Sequence, residues 1–140
     1  YYEVMGVDDM NELAKEILDT VEVGALATVN VDRTPLVTPL HFARFGNSII
    51  WISEPTARHS ENAFRNGKAE FVVWDDKKRA VFLKTNVTGL PESEKEAAMA
   101  AYKEKLADFM PRCQNPQIYV ASIGELDEKT TTGNWLHFIA

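Results

Sequence analysis

The chain has 140 residues, the size of one ordinary domain, and 45% of them are hydrophobic, which excludes disorder and low-complexity repeats. Fifteen basic against 21 acidic residues give a net charge of −6, and no basic stripe of the kind a nucleic-acid binder carries is present. No apolar run approaches the roughly 20 residues that span a bilayer, and the lone Cys113 excludes a disulfide framework or a thiolate metal site.

These features make a reducing cytoplasm the default expectation. The sequence begins at Tyr1 rather than methionine, so a trimmed start or a lost leader stays open. After a short lead-in, Met10, Leu13, Ala14, Ile17, Leu18 and Val21 fall on one helical face. Asp9 and Glu12 read as a capping box, which predicts a helix over about 9–21. The period then becomes two. Val23 to Val29 reads as a strand, Pro35 to about Arg44 as a second, and Ser48–Ser53 as a third after the Gly46–Asn47 turn. Short turns between them predict an antiparallel meander. Glu54–Pro55–Thr56 reads as a helix start with proline in its first turn, and Asn66–Gly67 as its stop. Strands are expected over Ala69–Trp74 and Arg79–Leu90. A second capping box, Ser93 and Glu96, opens a helix to about Met110, and its stripe of Ala98, Ala101, Tyr102, Leu106 and Phe109 reads as a packing face. Gln117–Leu126 and about Asn134–Ile139 complete the strands. The expected fold is mainly β: one domain over 1–140, an antiparallel split barrel of six to seven strands with peripheral helices.

Several chemistries are excluded by spacing. The seven glycines never come closer than the step from Gly124 to Gly133, so no glycine-rich phosphate loop exists. His41, His59 and His137 lack paired metal-ligand spacing, and no metal site is expected. Ser53–Glu54–Pro55–Thr56–Ala57–Arg58–His59 is the chemically suggestive segment. A strand ends, a helix begins, and Arg58 and His59 stand in its first turns, where free backbone N–H groups favour an anion. The alternative is a solvated Arg and a core-edge His with no ligand; Arg65, later on the same helix, is expected to contribute little to anion binding. Pro39 inside a strand leaves neighbouring backbone groups free at an edge. Trp51, Trp74 and Trp135, with Phe82, either wall a flat aromatic ligand or fill a core or subunit interface.

In order and spacing, Gly24–Ala25–Leu26–Ala27–Thr28–Val29, Thr34–Pro35–Leu36–Val37–Thr38–Pro39–Leu40, Ile50–Trp51–Ile52–Ser53 and Arg58–His59–Ser60–Glu61–Asn62 resemble the pyridoxamine 5′-phosphate oxidase-like, FMN-binding split barrels. The Asn66–Gly67–Lys68–Ala69 exit fits as well. The resemblance implies a homodimer with FMN in grooves between subunits. Thr38, Pro39, Leu40 and His41 would run along the isoalloxazine, and Ile52 and Ser53 would meet the ribityl and phosphate region. Arg58 and His59 would grip the phosphate, and the strand carrying Phe82 and Lys84 would come from the partner, with Trp135 as a further wall. His41 is the side chain nearest to an acid–base role. The apolar outward positions of the Ala80–Leu90 strand are the expected seam. This chain has His59 and Ala57 where true pyridoxamine phosphate oxidases carry Lys and Ser, and no arginine follows Arg112. Those departures leave the substrate unassigned. The resemblance also admits a non-catalytic flavin-binding or sensing protein, and haem- or deazaflavin-binding members.

Overall fold

The computed structural model describes residues 5–140. In chain order the elements are α1 (Val7–Thr20), β1 (Val23–Val29), β2 (Pro35–His41), β3 (Ala43–Phe45), β4 (Ser48–Ser53), α2 (Arg58–Asn66), β5 (Lys68–Trp74), β6 (Ala80–Gly89), α3 (Lys95–Leu106), β7 (Gln117–Ser122), β8 (Glu125–Leu126) and β9 (Trp135–Ile139). Seven strands form one curled sheet in the order β2-β1-β5-β6-β7-β4-β3, with β9 beside β6 and β8 beside β9.

The expected strand from Pro35 to Arg44 is two strands. Phe42 separates them, fully buried, with its N–H bonded to the Glu22 carbonyl at 3.2 Å. Its two sides go to opposite ends of the sheet order, so the backbone itself closes the barrel where no ladder does. The expected antiparallel pairings hold across both turns, β1 with β2 and β3 with β4, but the break at Phe42 parts them into separate hairpins, and β4 pairs on its other side with β7.

Burial follows the sequence pattern. On β1, Gly24, Leu26 and Thr28 are buried, and they alternate with partly or fully exposed neighbours. β4 is buried from Ile49 through Ser53 because both its faces are covered. Ile49 and Trp51 join the barrel core with Leu26, Phe42, Phe71 and Leu83. Ile50 and Ile52 pack beneath α3 with Ala98, Tyr102 and Leu106. Lys105 fastens α3 to the rest. Its ammonium donates to the Leu18 and Val21 carbonyls at 2.8 and 2.6 Å and sits 3.7 Å from the centre of the Phe42 ring. Burial pushes its pKa down to about 8 against the opposing pull of Asp19 and Glu22.

Other expectations shift by local physics. Neither capping box forms. α1 starts after Gly6, and α3 follows a single 3-10 turn at Glu92–Glu94, both without side-chain caps. α2 starts at Arg58, so Pro55 lies in the preceding turn. α3 ends at Leu106, short of Met110, and the last long strand breaks after Ser122. β9 runs parallel to β6, a departure from an all-antiparallel sheet. Residues 90–134 lie between them, ample length for a crossover. Gly67 does stop α2, at φ 74°.

Gly24 is required where β1 passes the Phe71 ring. An added Cβ would run into that ring and come within 3.0 Å of the Val72 carbonyl oxygen. Gly24→Ala is expected to lower stability by about 1–3 kcal/mol through overpacking. Gly89→Ala, where a Cβ meets nothing within 4 Å, should leave the urea midpoint almost unchanged.

Candidate functional site

Ser53 is the buried last residue of β4, and the chain turns back through Glu54–Ala57 before α2. The Ala57 N–H donates to the Glu54 carbonyl at 3.1 Å. Both Glu54 carboxylate oxygens accept from the Asn115 N–H, at 3.1 and 3.2 Å, and so tie this turn to the loop before β7. The Ser60 and Glu61 amides both donate to the Ala57 carbonyl at 3.0 Å. No side chain caps α2. Among the described residues the Arg58 and His59 amides have no acceptor, which leaves donors at the positive end of the helix dipole.

Ser53 Oγ and His59 Nε2 share a hydrogen bond of 2.7 Å. Burial holds the half-buried His59 below the ordinary histidine range. Arg58 is exposed beside it. A carboxylate lies nearby as well. Asp32, in the β1–β2 turn, is held below its usual range by the Thr34 hydroxyl at 2.5 Å and the Thr34 N–H at 3.1 Å, with a further pull from Arg58. The helix is fixed to β1 by Asn62, whose amide nitrogen donates to Thr28 Oγ1 at 3.2 Å and Asn30 Oδ1 at 2.9 Å. Arg65 joins the same fastening. It donates to the Asn62 amide oxygen at 2.7 Å and the Val29 carbonyl at 2.6 Å.

The remaining predicted residues divide by face. Residues directly opposite in a ladder share a face. Pro39 lies opposite Ala25 and His41 opposite Val23, on the outer face; Thr38 lies opposite Leu26 and Leu40 opposite Gly24, on the inner face. The Ile52 side chain goes beneath α3, away from Ser53's partner. Phe82 lies opposite Val72 and His137, Lys84 opposite Glu70 and Ile139, and Trp135 opposite Ala80. The Phe82 and His137 rings stack at 4.3 Å, and Trp135 tilts against Phe82 at 5.8 Å. Contacts thus hold two groups: Ser53 and His59 at the helix start, with Arg58 exposed beside them, and Phe82, His137 and Trp135 on the outer sheet face.

That face is strongly apolar. Val37, Trp74, Trp135, Val29 and Ile139 are all exposed, Val37 to 64%. β6 contributes less than expected, because its outward residues after Phe82 are Lys84, Asn86 and Thr88. Of the three tryptophans, Trp51 is core whereas Trp74 and Trp135 are exposed. A groove of about 630 Å³ runs between β1, β5, β6 and β9, lined by Ala27, Val29, Pro35, Glu70, Lys84 and Ile139. Sequence reading missed Asp32 and Phe109. Phe109 lies beyond the end of α3, outside the packing stripe, and stacks on His41 at 3.9 Å. Among the described residues, no group of three His, Cys, Asp or Glu could hold a metal ion, and no helix is long and apolar enough to cross a membrane.

The family model described as pyridoxamine 5′-phosphate oxidase matches residues 10–128. Comparison with curated proteins finds no match. Among solved structures, the chain is similar to a haem-binding protein from Mycobacterium smegmatis at 19% identity and a TM-score of 0.71, over 87% of this chain and 53% of that one. It thus spans about half the length of that relative. An FAD-binding protein from Mesorhizobium loti is 19% identical at a TM-score of 0.66, over 81% and 87% of the two chains. The haem storage protein of Vibrio cholerae is 14% identical at a TM-score of 0.66, over 83% and 91%. At these identities the likeness concerns the fold.

The depressed pKa of His59 has a signed consequence. The folded state resists a proton that the unfolded chain accepts near pH 6.5, so stability present above that pH is lost as pH falls through it. His59→Gln should remove part of that acid loss, read as urea midpoints across pH 5–8. In the wild type, the His59 proton resonance should titrate below the range of a free histidine.

Proposed function

The chain belongs to the pyridoxamine 5′-phosphate oxidase family, and from that premise we propose that it is an FMN-binding oxidoreductase, working as a homodimer on a small-molecule substrate. The observation that carries this reading is the uncapped start of α2, with Arg58 beside it and His59 held by Ser53. FMN combines a phosphate dianion with a flat heterocycle, and residues suited to each end are present. The free Arg58 and His59 amides and the Arg58 guanidinium suit the phosphate. Pro39 and His41 on the edge strand β2, and Phe82 and Trp135 on the outer face, suit a flat ring. When bound, FMN supplies the electron-transfer chemistry. The side chains bind and orient it, and the apolar outer face excludes water from it.

The homodimer follows from the same face. A patch that exposes Val29, Val37, Trp74, Trp135 and Ile139 is expensive to leave in water, and a second copy would cover it. In that dimer we place one chain's Phe82 and Lys84 against the cofactor held by the other chain. Sedimentation equilibrium at micromolar concentration should give a dimer. Val37→Glu, which sets a charge on the most exposed of these five side chains, should shift the chain toward monomer.

The cofactor reading is tested by absorbance and by one substitution. Purified protein mixed with FMN should retain a flavin doublet in the blue. A Soret band in its place would favour haem, which the Mycobacterium smegmatis protein is described as binding. A chain that stays colourless and ignores FMN would overturn the reading. Arg58→Ala should weaken FMN binding roughly ten- to hundredfold, the worth of a hydrogen bond to a charged group. Riboflavin, lacking the phosphate, should bind as before. Lys103→Ala, an exposed lysine on α3, serves as the control. Equal losses for FMN and riboflavin would show that Arg58 does not meet the phosphate.

A further inference from the structure

The helix that should have carried Phe109 into the α3 packing face stops at Leu106. Ala107 follows at φ 54° and ψ −125°, a conformation that glycine adopts freely and that strains a residue with a Cβ. Its N–H donates to the Lys103 carbonyl at 2.8 Å, and the Phe109 N–H donates to the Leu106 carbonyl at 3.1 Å. The strained residue thereby turns the chain off the helix axis, and Pro111 ends the turned segment with a fixed φ. A core role would bury Phe109 with Ala98, Tyr102 and Leu106. Instead it is 41% exposed, Met110 beside it is 43% exposed, and its ring lies on His41 with centroids 3.9 Å apart and planes at 28°. His41 shares the outer face with Pro39, opposite Val23 and Ala25.

We propose that residues 107–111 form a gate over this end of β2, with Ala107 as hinge and Phe109 as plug, and that a flat heteroaromatic ring enters by displacing Phe109 from His41. The inference rests on the reading of β2 as one wall of the cofactor site. A ring stacked on an imidazole is readily exchanged for another flat ring, because stacking depends on shape and polarisable area more than on specific donors. The exchange does not breach the core. Phe109 is already part-solvated, and its departure leaves the α3 cluster of Ala98, Tyr102 and Leu106 intact. Strain at Ala107 is relieved when the segment swings out, which lowers the cost of opening.

Two substitutions act in opposite directions on this device. Phe109→Ala removes the plug and should raise the FMN association rate severalfold, followed by quenching of flavin fluorescence in stopped flow. Ala107→Gly relaxes the closed hinge and should slow association. A second readout needs no flavin. In the free protein the His41 ring protons should be displaced upfield by the Phe109 ring current, lose that displacement in Phe109→Ala, and keep it in Ala107→Gly. If the wild type binds no FMN, the cofactor reading fails and the gate with it. If the wild type binds FMN while both variants associate at its rate, or both shift it in one direction, the gate is overturned and the cofactor reading stands.

Discussion

The architecture depends on one buried residue at a corner. Phe42 is where the chain leaves one end of the curled sheet and enters the other, and its side chain is the pin. The ring meets Phe71 edge-on at 5.1 Å and lies under the Lys105 ammonium. Its N–H is spent on Glu22. Because closure is made by the covalent chain, among the described residues β2 pairs with β1 alone through the sheet. The unpaired edge of β2 is therefore a consequence of the corner. An edge strand is where a proline is tolerated, and Pro39 stands there. Ammonium, carbonyls and ring at this corner form one unit, and it joins α1, β2–β3 and α3.

The second constraint is the fastening of α2. A helix start can act as an anion site only if its direction is fixed. Asn62 and Arg65 fix it from one side by binding Thr28, Asn30 and Val29 of β1 and its turn, and Glu54 fixes the preceding turn through Asn115. Ser53 and His59 then lock β4 to the first turn. His59 sets the electrostatics of that turn. A half-buried imidazole held below its ordinary range is neutral at neutral pH, so Arg58 and the free amides carry the positive potential there.

Legibility in the sequence divided along a physical line. Local signals were readable. The alternation of β1, the turn at Gly46–Asn47 and the left-handed stop at Gly67 each depend on a few adjacent residues. The helix after β4 was readable for the same reason, although it starts at Arg58 and not at Glu54–Pro55–Thr56. Features decided by distant partners were not. No glycine or proline marks the Phe42 break, which exists because tertiary packing claims that ring. The capping-box letters at Asp9 and Ser93 were overridden by where the helices dock. The parallel pairing of β9 has no sequence signature, since period-two alternation names a face but not a neighbour. The same rule explains the split among predicted site residues. Thr38 and Leu40 alternate with Pro39 and His41, so consecutive residues could not all face one ligand with their side chains. Phe109 kept helical spacing from Leu106, but the helix had already ended.

The anion site proposed at the start of α2, on a chain of net charge −6, raises a question of balance. At physiological ionic strength the Debye length is about 8 Å, so most of the surplus carboxylates are screened from the start of α2. What acts there is short-range. Arg58 contributes a full charge, the free amides contribute the partial charge of the helix end, and Asp32 opposes both. Asp32 accepts from the Thr34 hydroxyl and amide, and among the described residues it makes no ion pair with Arg58. The guanidinium is therefore the more available partner for an incoming anion. The chain's acidic character and a phosphate-binding function are compatible because they operate at different distances.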